Sequence, residues 1–327
     1  LRPQGEVKPP LDFIGDVHGH AGALERLLAR LGYAEISGVW RHPSRKAFFL
    51  GDLVDRGPEI RRTLELVRAM VEAGSATCLM GNHEYNALAW STPDGAGDFL
   101  RHHRSPHREQ HQRTLSDFSM PVEKVFGVAS TPAEQAQAEV LRLRWEEMLA
   151  WFRTLPLFHE GEGFRAVHAA WIPESVARLG ELLASGSEAD DVFLRETHRV
   201  SSPAWRALED CLKGPEAPLP EGVVLPDKEG HLRDRARLRW WLPREVEVDA
   251  TDLYHVEEEQ VPALGRVSHR LIPPLTRPSA NDSPIFFGHY WMRGRPRLLS
   301  SRIACLDWSV AVGGVLCAYR WDGEADL

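Results

Sequence analysis

The sequence predicts an α/β fold in which short strands alternate with helices. Apolar runs of about four residues alternate with longer amphipathic stretches in the first third of the chain, a pattern typical of βαβ units. Each of these apolar runs ends in a glycine followed by a polar residue, as at Gly15-Asp16, Gly51-Asp52 and Gly81-Asn82. Polar side chains therefore collect at the carboxyl ends of the strands, where open α/β sheets place their functional sites.

The elements of this first third follow in a regular order. Strands are expected at residues 11–14, 47–50 and 77–80, and amphipathic helices at residues 21–31 and 60–73. The order strand, helix, strand, helix, strand predicts neighbouring parallel strands, because a crossover helix joins each pair.

Later parts of the chain repeat the strand pattern. Residues 164–167 lead into His168, and residues 285–287 lead into Gly288 and His289. Five predicted strand ends then carry residues that can bind metals. Residues 302–321 contain two β-rich pieces around a pair of glycines, and we predict a closing hairpin there.

Two segments differ in character from this scaffold. Residues 91–160 are mostly helical in pattern, with the clearest helix at residues 134–152, and residues 174–283 are rich in proline, charge and tryptophan. A chain of 327 residues with 43% hydrophobic content can bury one large core. We interpret residues 1–327 as a single domain that carries these two segments as insertions.

The composition excludes several functional classes. A formal net charge of −8 at pH 7 argues against binding of nucleic acid or anionic membranes through overall attraction. Apolar runs fall short of the roughly 20 residues of a membrane helix, and the first ten residues do not resemble a signal peptide. The four cysteines lack CxxC spacing, so we expect reduced, mostly buried thiols. We expect a cytoplasmic protein.

Three clusters at the strand ends combine residue types that bind metals. They read GDVHGH from Gly15, GDLVDRG from Gly51 and GNHE from Gly81, and His168 and His289 complete the set. Carboxylate, imidazole and amide groups together suit Mn, Fe or Zn, whereas Ca would require more oxygen ligands. We therefore predict a divalent metal site at the carboxyl ends of the strands.

The ordered motifs resemble those of the calcineurin-like metallophosphoesterases, within them the phosphoprotein-phosphatase branch that includes bacterial diadenosine tetraphosphatases. GDVHGH, GDLVDRG, GNHE, VHA and FGHY span the chain from residue 11 to about residue 290. The resemblance implies a sandwich of two mixed β-sheets flanked by helices. It also implies two divalent metal ions, with Mn as the expected ion and Fe, Zn or Mg as alternatives.

The resemblance further implies the metal ligands. These side chains follow the strands, and they are Asp16, His18, Asp52, Asn82, His168 and His289. Asp16, His18 and Asp52 would bind one ion. Asp52 would also bind the second ion, together with Asn82, His168 and His289. In other branches the last motif is GHxH, but here Tyr290 and Trp291 follow the histidine, which favours the phosphoprotein-phosphatase branch.

Charge counting supports a phosphate-binding site. Two divalent ions bring four positive charges, while Asp16, Asp52 and a bridging hydroxide remove three, so the site remains cationic within an acidic protein. Such a pair of ions lowers the pKa of bound water and makes hydroxide available near neutral pH. Hydrolysis of a phosphate ester by this hydroxide, without a covalent phosphoenzyme, is the expected chemistry.

Three further residues of the motifs are candidates for catalysis. His83, next to the ligand Asn82, is the expected general acid for the leaving oxygen, and Asp55 would orient its ring. Arg56 offers a planar fork that can bind phosphoryl oxygens through two parallel hydrogen bonds. His20 and Glu84 belong to the same motifs, and we expect both to hold loops by hydrogen bonding rather than to bind metal.

Several other features allow two interpretations. The basic run at residues 101–113 could steer a phosphorylated substrate, but a solvated helical face is favoured. Trp240-Trp241, preceded by four arginines at alternate positions, could form a lid that stacks on a ring, but burial in the core of the insertion is favoured. Arg266 and Arg270 are possible second phosphate-binding arginines, although no motif selects either one.

The leading hypothesis for function is hydrolysis of phosphomonoesters, with a phosphoprotein bearing phosphorylated Ser, Thr or Tyr, or a small phosphoester, as substrate. The alternative is hydrolysis of diadenosine tetraphosphate, which would use the same metals with a different leaving group. A third interpretation, a non-catalytic module that binds phosphate, is disfavoured because all of the motif residues are present.

Overall fold

Two β-sheets form the centre of the computed structural model, which describes residues 10–119, 132–161, 163–184, 189–226 and 230–327. In chain order the strands are β1 (Leu11–Ile14), β2 (Ala34–Ile36), β3 (Val39–Arg41), β4 (Lys46–Phe49), β5 (Ala76–Cys78), β6 (Phe158–Gly161), β7 (Phe164–Val167), β8 (Glu216–Pro218), β9 (Leu225–Pro226), β10 (Leu232–Arg233), β11 (Arg235–Arg237), β12 (Ile285–Phe287), β13 (Ile303–Cys305), β14 (Asp307–Trp308), β15 (Val315–Leu316) and β16 (Ala318–Trp321). The helices are α1 (Ala21–Leu31), α2 (Ile60–Glu72), α3 (Asn82–Ser91), α4 (His107–Asp117), α5 (Pro132–Arg153), α6 (Pro173–Ala184), α7 (Asp191–His198), α8 (Pro203–Lys213) and α9 (Val261–Leu264).

Each central sheet has four strands and mixes both pairing directions. The first has the order β16-β1-β4-β5, with β1, β4 and β5 parallel and β16 antiparallel at the edge. The second has the order β13-β12-β7-β6, with β6 as its antiparallel edge. The predicted α/β sandwich of two mixed sheets is confirmed, and so are the strands and helices predicted for the first third.

An aromatic cluster fills the space between the sheets. Phe13 on β1 stacks on Phe286 of β12 with ring centroids 3.7 Å apart, and Phe48 and Phe164 pack around this pair. Successive residues of a strand point to opposite faces. Ile14, the neighbour of Phe13, therefore lies in the other large cluster, which joins the sheets to their covering helices.

The helices cover the outer faces because their apolar residues recur at helical spacing. In α1 the buried residues are Ala21, Leu24 and Leu28, and the helix ends at Gly32, whose φ of 92° is the left-handed conformation that favours glycine. The clearest helix predicted for residues 91–160 is confirmed as α5. No helix within the described residues has the length and apolarity needed to cross a membrane.

The closing segment differs from the predicted hairpin. The short strands β14 and β15 do pair antiparallel on either side of the two glycines. The longer flanking strands separate, however, because β13 pairs with β12 in the second sheet and β16 pairs with β1 in the first. This segment therefore connects the two sheets.

Residues 174–283 contain α6 to α9 and an apolar cluster of their own, formed around Leu238, Leu253 and Tyr254. Trp240 and Trp241 are buried and pack on Phe287 of β12. The predicted burial of this tryptophan pair is confirmed, but the pair belongs to the main apolar cluster rather than to that of the insertion. All four cysteines are free and three of them are buried, as expected.

Candidate metal centre and active site

The carboxyl ends of five strands bring the predicted metal ligands to one place. Asp16 and His18 follow β1, Asp52 follows β4, Asn82 follows β5, and the two remaining histidines follow β7 and β12. All of these side chains are buried. Two groups of side chains at this place have ligand atoms within 4.8 Å of one another. One is His18, Asp52 and His83, the last of which was not a predicted ligand, and the other is Asp52, His168 and His289.

Asp52 belongs to both groups and lies at their centre. One of its carboxylate oxygens, Oδ2, is 3.5 Å from Nε2 of His18, and the other, Oδ1, is 3.4 Å from Nε2 of His168. Nε2 of His168 is also 3.1 Å from Oδ1 of Asn82. This placement allows one carboxylate to face two neighbouring cations.

The histidines are oriented as metal ligands require. Nδ1 of His18 donates to the carbonyl of Val54 at 2.9 Å, and Nδ1 of His168 donates to the carbonyl of Leu50 at 2.7 Å. Such backbone hydrogen bonds fix the tautomer that leaves Nε2 unprotonated. Nε2 of His18 and both ring nitrogens of His289 are buried without a hydrogen-bond partner among the described residues. Buried nitrogens of this kind fit a bound metal ion.

His83, predicted as the proton donor, groups with the ligand atoms, whereas the predicted ligand Asp16 does not. Asp16 lies outside both groups, and its Oδ2 accepts the backbone N–H of His289 at 3.1 Å. His83 lies in the first group, with Nε2 3.9 Å from Oδ2 of Asp52. Gly288 permits the approach of Asp16, because an added Cβ would lie 2.1 Å from its Oδ1.

The loops that carry these side chains have unusual backbones. His18, Asp52 and His289 have positive φ values of 44°, 53° and 68°, which non-glycine residues adopt at a cost of about 1 kcal/mol or more. At Asp52 the buried Glu84 carboxylate offsets this cost, since it accepts the backbone N–H groups of Asp52, Leu53 and Gly81 at 2.8–2.9 Å.

His20 and Glu84 act as predicted. Glu84 clamps two of the loops, and Nδ1 of His20 donates to the carbonyl of His18 at 2.8 Å. Both residues therefore hold the loops in place by hydrogen bonding.

Burial and charge set the protonation of the site. Burial lowers the pKa of His18 to about 3, and it also holds the pKa of His289 well below the ordinary value. Burial acts to raise the pKa of Asp52, but the charges of His168 and His83 outweigh it and hold that pKa well below the ordinary range. His168 differs, because burial acts to lower its pKa but the charge of Asp52 outweighs burial and raises that pKa to about 10. Metals bind neutral imidazoles and ionised carboxylates, so a bound ion would displace the proton of His168.

Asp55 contacts the ring of His83. Its Oδ2 is 2.6 Å from Nδ1 of His83, and the carboxylate is fully buried. Burial acts to raise the pKa of Asp55, but His111 and His83 hold it far below the ordinary value. The carboxylate therefore stays ionised and keeps its hydrogen bonds.

Helix α4 supplies residues that sequence reasoning missed. Nδ1 of His111 is 3.1 Å from Oδ2 of Asp55, and the hydroxyl of Thr114 donates to Oδ1 at 2.5 Å. Nε2 of Gln110 lies 3.3 Å from Nδ1 of His83. The interpretation of the basic run as a solvated face is therefore wrong for this side of the helix, although residues such as Arg104 are exposed.

Two arginines approach the site from opposite sides. Arg56 lies over the ring of Trp291, 4.2 Å from the ring centroid, and its charge helps to depress the pKa of His18. Arg237 on β11, which the sequence did not single out, is close enough to contribute to the depressed pKa of His289, and its Nε is buried without a hydrogen-bond partner among the described residues. Arg266 and Arg270 are exposed instead.

Comparison with known proteins agrees with the motifs. An asymmetrical bis(5'-nucleosyl)-tetraphosphatase, PrpE of Geobacillus sp. strain WCH70, is 46% identical over 74 residues, which are 22% of this chain and 30% of that protein. The symmetrical bis(5'-nucleosyl)-tetraphosphatase of Methylococcus capsulatus strain Bath is 27% identical over 325 residues, which cover 96% of this chain and 92% of that protein. The match to PrpE thus spans less than a third of that relative.

A solved structure and a family model complete the comparison. The cold-active protein-tyrosine phosphatase of a psychrophilic Shewanella species has a TM-score of 0.46 at 16% identity, over 97% of this chain and 79% of that one. The family model for calcineurin-like phosphoesterases matches residues 9–214, which include the first three motifs and His168. The chain therefore belongs to the calcineurin-like phosphoesterase family.

Proposed function

We propose that this chain hydrolyses phosphate esters or anhydrides at a site that binds two divalent metal ions. The observation that carries the proposal is the position of Asp52, which belongs to both of two groups of buried, potentially metal-binding side chains. Family membership supports the same chemistry. We further propose that the two inserted segments belong to one domain with this site and that the protein acts in the cytoplasm.

The proposed ligand set follows the geometry of the loops. One ion would take Asp16, His18 and Asp52, and the other would take Asp52, Asn82, His168 and His289. His83 lies near enough to be a ligand, but the short bond from its Nδ1 to Asp55 suits a proton donor, and we assign it that role. Mixed nitrogen and oxygen ligands suit Mn, with Fe, Zn or Mg as alternatives that depend on availability.

The protein side chains would divide the remaining work. When bound, the ions supply a nucleophile from water at neutral pH and neutralise charge on the phosphoryl oxygens. His83 would give a proton to the leaving oxygen, and Asp55 would keep its ring in the correct tautomer. Arg56 and Arg237 would bind phosphoryl oxygens from two sides.

Dinucleoside polyphosphates are the substrates that we propose first. Two relatives that are named bis(5'-nucleosyl)-tetraphosphatases are similar to this chain, and one of them matches almost the full length of the chain. Trp291, half-buried beside Arg56, places an aromatic ring next to the site, where a nucleobase could stack. Phosphomonoesters, including phosphoproteins, are the second candidate, because the motifs of the site resemble those of enzymes that act on either substrate class.

The decisive experiment is a substrate comparison. Protein stripped with a chelator and refilled with Mn would be assayed on an aryl phosphomonoester, its diester, a phosphopeptide set and diadenosine tetraphosphate. The Asp52→Asn variant, prepared in the same way, provides the background rate. A preference for the dinucleotide supports the first candidate, and a preference for monoesters and peptides supports the second. Absence of turnover on every substrate by fully metallated protein would contradict the proposal and leave a phosphate-binding module.

A further inference from the structure

Arg101 is a partly buried cation beside the site that neither the motifs nor the metal chemistry uses. Its backbone N–H donates to the carbonyl of Ala89 at 3.0 Å, so the residue is docked on α3, the helix that begins with Asn82 and His83. The guanidinium donates to Oε1 of Gln110. Nε2 of the same Gln110 amide lies 3.3 and 3.4 Å from the two ring nitrogens of His83. One amide group therefore separates Arg101 from the proposed general acid.

The charge of Arg101 lacks a partner of opposite sign. Among the described residues it forms no ion pair, and its Nε is buried without a hydrogen bond. The two carboxylates whose charges reach it are both engaged elsewhere, since Asp55 binds His83 and His111, and Glu209 pairs with Lys213 at 2.6 Å. Burial lowers the pKa of Arg101 to about 10. A desolvated guanidinium with unused donors is a strong binder of phosphate oxygens.

The position of Arg101 indicates which part of a substrate it would meet. If His83 protonates the leaving oxygen, the leaving group lies beside its ring. Gln110 contacts the same ring, and Arg101 binds the other end of the Gln110 amide. A neutral alcohol or phenol would leave the guanidinium without a counter-charge, whereas a leaving group that carries its own phosphate would supply one.

We propose that Arg101, held by Gln110, forms a subsite for a phosphate on the leaving group, and that the site is therefore selective for phosphoanhydrides of the nucleoside polyphosphate class. The inference rests on the proposed function and sharpens it. In the reaction, the oxygen of water forms a new bond to phosphorus and the anhydride P–O bond breaks. The leaving phosphate oxygen keeps the electron pair of the broken bond and takes a proton from His83. The proton that the attacking water releases restores the protonated form of His83. Arg101 binds the departing phosphate and remains protonated throughout.

The test compares two substrates across matched variants. The ratio of kcat/KM for diadenosine tetraphosphate to kcat/KM for an aryl phosphomonoester would be measured for the wild type and for Arg101→Ala, Arg101→Gln and Arg101→Lys. Loss of one charge-assisted contact lowers this ratio by about 10- to 100-fold in the first two variants. Arg101→Lys retains an intermediate ratio because it keeps the charge without the planar fork.

Arg104→Ala is the matched control, since it removes the same charge from the same segment at an exposed position. It should leave the ratio unchanged. Thermal unfolding checks that each variant is folded. If Arg101→Ala does not fold, the ratios of the Arg101→Gln and Arg101→Lys variants test the subsite, because both of these side chains can still donate to Gln110.

The outcomes distinguish failure of the Arg101 subsite from failure of the proposed function. A ratio unchanged in Arg101→Gln, or equal losses in the Gln and Lys variants, overturns the subsite. The subsite is also overturned if the wild type hydrolyses the aryl ester but not the dinucleotide. In that case the proposed hydrolysis of phosphate esters is retained. A wild type inactive on both substrates overturns the proposed function itself.

Discussion

The strand-end loops and the segment 91–119 both supply side chains to the site, but they hold them by different means. In the loops, left-handed backbone at Asp52 and the Glu84 carboxylate fix each ligand directly behind its strand. The segment contributes side chains from α4, which reach across to Asp55 and His83 from another part of the chain. The loops thus determine where a metal can bind, whereas the segment determines how the proton donor is held.

The largest effect is expected from a substitution of Asp52, the central residue of the strand-end loops. Asp52→Asn should lower turnover by about 1,000-fold or more, because it removes the bridging charge and the stabilisation that both ions supply. Metal content measured after dialysis should fall in parallel. Asp252→Asn, at an exposed position, is the control. An active variant with full metal content would show that Asp52 is not the bridge.

His83→Ala should separate metal binding from proton transfer. We expect turnover to fall by about 100- to 1,000-fold, since a positioned general acid contributes in this range. The metal content should stay close to the wild-type value. The loss should also increase with the pKa of the leaving group across a series of aryl phosphates. Full activity would contradict the assignment, and a loss of metal would instead make His83 a ligand.

His111→Ala addresses the segment side of the comparison. It removes one of the hydrogen bonds that hold Asp55, and we expect kcat to fall by about 10-fold, as for changes just outside a metal site, with little change in KM. His111→Asn should restore most of this activity because its amide can donate where Nδ1 does. The exposed His102→Ala is the control. Equal activities of the Ala and Asn variants would show that the contact does not position Asp55.

The smallest effect is expected outside both regions, at Asp210 on α8. Burial raises the pKa of its carboxyl to about 6, so the folded state favours the protonated form. The resulting stabilisation is present below about pH 4 and is lost as the pH rises through 6. Because the side chain is half-buried, Asp210→Asn should raise the free energy of unfolding by only about 1 kcal/mol at pH 8 and leave it unchanged at pH 4. Urea unfolding at both pH values measures this, and equal shifts would refute it.

The sequence predicted the loop side of the site well and the segment side poorly. Asp16, Asp52 and His289 follow apolar runs, and strand ends of parallel sheets meet at one edge, so local pattern is enough to bring them together. His111, Thr114 and Gln110 act through contacts that span more than 25 residues to Asp55 and His83, and nothing in a helical pattern of polar residues indicates what lies opposite.

The closing strands and Arg237 show the same limit at larger scale. The sequence predicts β-structure on both sides of the two glycines. The pairing of these strands in two different sheets, however, depends on tertiary packing. Arg237 reaches the site from the segment 174–283, where no motif selects it. The two-residue spacing draws attention to the run of arginines, but it does not select the one whose charge reaches His289.

The pairing of β16 with β1 has a consequence for how the protein is made. β1 carries Asp16 and His18 at its end, yet the strand beside it follows far later in the chain, since Leu11 pairs with Trp321. Until then, one side of β1 has unpaired backbone groups, and the second sheet lacks β13. Contacts between such distant parts of a chain form slowly during folding. The nascent chain is therefore expected to expose this strand edge until β16 has left the ribosome, and chaperones that bind extended segments would be suited to protect it.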